Sequence, residues 1–117
     1  MPFWRRSGES GGLDRKDAQT LAALRDAGSD LSKPAHVLVY LYFEDESDAR
    51  PAAAEVGELG YEMRVTEPSH GVEQWAVVGE KQLAPTPEAV AKLRDDLDGV
   101  AKRHRGEFDG WEASVEA

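Results

Sequence analysis

Three histidines, an excess of carboxylates and a handful of aromatic rings are the side chains here that could do chemistry. His36, His70 and His104 stand far apart, with no His-x-x-x-His pair and no His-Glu-x-x-His. The local ligand pairs that zinc sites use are therefore missing. Carboxylates run together in Glu44-Asp45-Glu46-Asp48 and in Asp95-Asp96-Asp98. Acid–base catalysis needs two carboxyls held in different environments, whereas these runs read as a solvated loop and an outer helix face. There are no cysteines, which removes disulfides, thiolate ligands and thiol nucleophiles. Neither a GxxxxGK[ST] or GxGxxG phosphate loop nor a GxSxG nucleophile elbow occurs. The expectation is a non-enzyme with no catalytic residue, metal or cofactor.

The aromatic residues leave a second reading open. Tyr40 and Tyr42, with Trp75 on a neighbouring strand, could stack bases on a sheet face, as RNA-recognition domains do. The charge speaks against it: 14 Lys and Arg oppose 23 Asp and Glu, a formal net of −9, and such a field repels phosphate backbones and favours a basic partner. These rings read as core or partner-facing. A sheet-face binder of a small molecule or single-stranded RNA is the alternative.

The elements that must position these residues follow from periodicity. At 117 residues the chain is one domain's worth, able to bury a core without staples. Residues 1–12 read as a flexible tail, its Phe3-Trp4-Arg5-Arg6 segment followed by a Ser/Gly linker. Residues 13–117 read as a single domain. Nothing resembles a secretory signal or a membrane span, so the cytoplasm is expected.

The stretch His36 to Phe43 is the longest apolar run and reads as a central strand. Val37, Val39, Leu41 and Phe43 share one face, and His36, Leu38, Tyr40 and Tyr42 the other. A helix over Asp14–Ala27, with Ala18, Leu21, Ala22 and Leu24 as its apolar stripe, precedes it and ends at Gly28. A second helix follows, capped by Ser47 with Pro51 in its first turn, and closed by Gly60. Tyr61–Thr66 and Val72–Leu83 read as a hairpin around the turn at 67–71, with Gly79 as a bulge or bend. Thr86-Pro87-Glu88 opens a third helix with Val90, Leu93, Leu97, Val100 and Ala101 inward, stopped by Gly106. Residues 107–115 make a last strand, bulged at Asp109-Gly110. The order is a leading helix and then βαββαβ. This predicts an α+β, ferredoxin-like fold: one antiparallel sheet, two helices on one face, first and third strands central, and an extra N-terminal helix.

The motifs GSD at 28–30, ELGYE at 58–62 and EFDGWEASVE at 107–116, in that order and spacing behind a leading helix, resemble the RraB family, regulators of ribonuclease activity that inhibit ribonuclease E. The resemblance spans about residues 14–116 and leaves the Phe3-Trp4-Arg5-Arg6 segment outside it. It implies an acidic cytoplasmic bacterial protein without catalytic activity. Its partner would be a ribonuclease E-type enzyme, bound at the scaffold region beyond the catalytic domain, and RNA decay would be restrained as a result. On size and turn chemistry Gly28, Gly60 and Tyr61 read as structural, and Gly110 and Trp111 as a bulge and a core anchor. The functional alternative makes Asp109, Gly110 and Trp111 part of a contact patch, with Tyr40 and Tyr42 as further partner-facing candidates.

Overall fold

Alternation along one strand decides which side of the sheet the helices cover. In β1 (Ala35–Phe43) the residues Ala35, Val37, Val39, Leu41 and Phe43 are buried to 1% exposure or less. The four residues between them are half-buried. A computed structural model describes residues 13–117, so the expected tail over 1–12, with Phe3-Trp4-Arg5-Arg6, lies outside the described residues. The elements are α1 (Arg15–Asp26), β1, α2 (Glu46–Glu58), β2 (Glu62–Thr66), β3 (Trp75–Leu83), α3 (Pro87–Arg103) and β4 (Glu107–Ala113). The fold is α+β: three helices against a four-stranded antiparallel sheet of order β2-β3-β1-β4. β1 and β3 are central. α2 carries the chain from β1 to β2 past β3, and α3 carries it from β3 to β4 past β1.

All three helices lie on the face of Val37, Val39, Leu41 and Phe43, because their buried residues form one cluster with it. α1 contributes Leu21 and Leu24, α2 contributes Ala49, Ala52, Ala53 and Val56, and α3 contributes Val90, Leu93, Leu97, Val100 and Ala101. Each fully buried Val, Leu or Phe contributes about 1.5–3 kcal/mol. α1 therefore packs beside α3, and among the described residues no helix covers the other sheet face.

Several local readings change. α2 begins at Glu46, with Asp45 at its N-cap and no side-chain cap bond from Ser47. Pro51 consequently sits inside the helix, on its exposed side near the N-terminus, where few backbone bonds are lost. β3 begins at Trp75 rather than Val72, because Ser69 and Val72 exchange two backbone hydrogen bonds and close a separate turn. β4 ends at Ala113. In α1, Ala18 and Ala22 are exposed and Asp17 is buried instead.

Gly79 is neither bulge nor bend, since it pairs in register with Val39 and Met63. What it provides is closeness. A Cβ there would stand 3.1 Å from side-chain atoms of Val39, Val56 and Tyr61, so the absent side chain lets α2 settle onto the sheet. Gly106 has the same role at the end of α3. The left-handed residue that ends that helix is Arg105, at φ 60°, while a Cβ on Gly106 would lie 2.2 Å from the Phe43 ring.

Candidate functional site

The open sheet face brings together most of the residues singled out from sequence. Antiparallel partners project to the same side, so the register places Leu38, Tyr40 and Tyr42 of β1 beside Val78 and Ala76 of β3. Arg64 and Thr66 of β2 lie beyond these, opposite Val78 and Ala76. On the other flank Glu112, Gly110 and Glu107 of β4 face Leu38, Tyr40 and Tyr42. The bulge between Tyr40 and Leu41 makes Asp109 the extra, exposed residue of β4. Gly110 takes φ 149°, which a side-chain-bearing residue rarely adopts. The result is a strip of half-buried Leu38, Tyr40 and Tyr42 beside buried Val78 and Ala76, fringed by carboxylates. Tyr40 Oη donates to Glu112 Oε1 at 3.0 Å. Burial first, then this carboxylate, push the Tyr40 phenol above its ordinary pKa, so it remains a donor. His36 Nε2 and Arg64 Nη1 both approach Glu80, at 3.3 and 3.8 Å.

Trp75 and Trp111, which only the alternative readings put on this patch, point the other way. Trp75 pairs with Phe43, and Trp111 with Val39, so both rings lie on the helix side. Trp111 is buried, and its indole N–H donates to Asp17 Oδ1 at 2.9 Å. Arg94 donates to the same carboxylate through Nε at 2.6 Å and Nη2 at 3.0 Å, and lies over the Phe108 ring at 5.0 Å. Asp17 is 2% exposed, and its pairing holds the Arg94 guanidinium above its ordinary pKa. This network ties α1 to α3 and β4. Sequence reading missed it, although Asp17 stands four and seven residues before Leu21 and Leu24, on the buried stripe. Trp111 is thus the core anchor expected from its size, whereas Gly110 lies on the open face.

The sequence model of one family, "Regulator of ribonuclease activity B" (RraB), matches residues 14–113. The chain belongs to the RraB family. The match begins at the Asp14 cap of α1 and ends with the last residue of β4, so it takes in every helix and strand described above. No curated protein matches the chain.

Elsewhere the RraB domain carries a groove of ≈290 Å³ between α2 and α3, lined by Glu55, Glu58, Asp95, Asp96 and Arg103 among others. Arg103 donates to Glu55 Oε1 through Nε at 3.0 Å and Nη2 at 2.6 Å, and His104 Nε2 meets Oε2. Arg103 and then His104 hold the Glu55 carboxyl below its ordinary pKa. These contacts clamp two helices together. Among the described residues no three His, Asp or Glu side chains gather as metal ligands, and no helix is long and apolar enough to cross a membrane. The strip can offer aromatic faces, aliphatic surface and hydrogen-bond acceptors to another molecule, which is recognition chemistry.

Proposed function

We propose that the chain is a non-enzymatic cytoplasmic regulator that binds a ribonuclease E-type endoribonuclease and lowers its activity in RNA decay. The observation that carries this reading is the RraB match across the whole described fold; the family's name is a regulatory one. The physical features agree with it. A net charge of −9 favours a basic protein partner over RNA. The sheet order, with α2 and α3 each crossing one intervening strand, supports the ferredoxin-like reading of the fold. Trp75 faces away from Tyr40 and Tyr42, which removes one platform from the RNA-stacking alternative.

The test is a pull-down from the source cytosol with tagged protein at low and high salt, followed by an RNA-cleavage assay on the recovered enzyme. Recovery of a ribonuclease E homologue, lost at high salt and slowed by added protein, is the expected result. An enzyme whose rate and binding are unchanged by the protein at low salt would overturn the reading.

A further inference from the structure

We propose that the open sheet face is the docking surface for an arginine-bearing segment of the partner protein, whose guanidinium groups stack on Tyr40 and Tyr42 and pair with the surrounding glutamates. This rests on the regulatory reading above and adds where the partner sits and what chemistry it presents. Four carboxylates project from this face: Glu62, Glu80, Glu107 and Glu112. Among the described residues its arginine, Arg64, turns to Glu80, as does the His36 ring. Glu62 and Glu80 stand directly opposite each other on neighbouring strands, an arrangement that costs stability unless a cation lies between them. The face is therefore short of positive charge.

Its shape selects the kind of cation. Gly110 stands opposite Tyr40 on one flank, and the space where its side chain would project is empty to 4 Å. One side of the Tyr40 ring is thereby left open, while the bond to Glu112 fixes the ring's tilt. A planar guanidinium can lie on such a ring and still reach carboxylates edge-on, which an ammonium does less well. A second copy of the chain would set one acidic fringe against another, and an RNA strand would bring phosphates to it. Charge favours a basic polypeptide over both.

The experiment measures fluorescence anisotropy with four probes. They are a labelled peptide alternating Arg and Gly, its Lys counterpart, an oligouridylate of equal length and the source organism's ribonuclease E homologue. Two variants remove three charges each. Glu62→Gln/Glu107→Gln/Glu112→Gln alters the sheet face, and Glu58→Gln/Asp95→Asn/Asp96→Asn alters the α2–α3 groove. The sheet variant is expected to weaken the Arg peptide and the ribonuclease about ten-fold, and the groove variant by no more than about two-fold. Tyr40→Leu, with melting curves confirming its fold, should narrow the preference for Arg over Lys. If it does not fold, the charge variants still decide. Equal weakening by both charge variants would reduce the effect to bulk charge and overturn the proposal, as would oligouridylate binding tighter than the Arg peptide. Undiminished ribonuclease binding by the sheet variant would overturn the surface and leave the regulatory reading standing. A sheet-dependent Arg peptide with no ribonuclease binding would support the surface and reject that partner.

Discussion

Burying a carboxylate among leucines is the least economical choice in this core, and Asp17 survives it only because three N–H groups reach it. Removing one partner therefore costs more than removing both. Arg94→Met should destabilise by about 3–5 kcal/mol, because it leaves the Asp17 carboxyl group buried without its cation and tied only to an indole. Adding Asp17→Leu to Arg94→Met should restore only part of that loss, because the buried Trp111 indole N–H then lacks its acceptor. Trp111→Phe keeps a ring in the core and loses the donor, for about 1–3 kcal/mol, while Trp111→Ala also opens a cavity and should cost about 3–5 kcal/mol. Urea midpoints for the four proteins of the Asp17/Arg94 cycle check the coupling. Additive losses would mean that Asp17 and Arg94 are neighbours without being a unit. Trp111→Phe should leave partner affinity unchanged, since the ring faces the helices.

At the scale of elements, close approach is set by what two glycines lack. Gly106→Ala drives a Cβ to 2.2 Å from the Phe43 ring and 2.6 Å from the Tyr42 carbonyl oxygen, so the start of β4 must move away from β1. A loss at or above the ~1–3 kcal/mol of ordinary overpacking is expected. Gly79→Ala, with three contacts at 3.1 Å on buried or near-buried side chains, should fall within that range. Gly99→Ala runs the other way, meeting only the flexible tip of Arg103 at 3.1 Å and giving α3 about 1 kcal/mol of helix propensity. Thermal melts rank the three, and a Gly106→Ala protein as stable as the parent would refute the close-approach reading. The same cases show what a sequence discloses. Period-2 and period-3.6 patterns placed β1 and α3 with their inward residues, and Asp109-Gly110 revealed the bulge, because each is a local property. Gly79, Gly106 and Asp17 are explained by atoms that arrive from elsewhere in the chain, and no local pattern encodes those arrivals. The open face was half legible: alternation put Tyr40 and Tyr42 together and size marked Trp111 as an anchor, but the side taken by Trp75 depends on strand register.

For the molecule as a whole, the decisive property is where its charges are already spent. On the helix side Arg94, Arg103, Arg105 and Lys92 are paired with Asp17, Glu55, Asp48 and Asp96. The sheet side keeps Glu62, Glu107 and Glu112 without a cation of their own among the described pairs, in a chain of net charge −9. A field of this kind acts before contact, attracting a basic partner, and it weakens as the Debye length shrinks from about 10 Å at 0.1 M salt to about 3 Å at 1 M. Steering lives in the association rate, whereas contacts made after docking live in the dissociation rate. Stopped-flow measurement of partner binding across that salt range should show association slowing by about ten-fold or more, with dissociation changing by no more than about two-fold. Glu62→Gln/Glu107→Gln/Glu112→Gln should flatten the salt dependence of association. If salt instead accelerates dissociation and leaves association unchanged, the carboxylates act only as contact groups, and the acidity of the sheet face has no part in finding its partner.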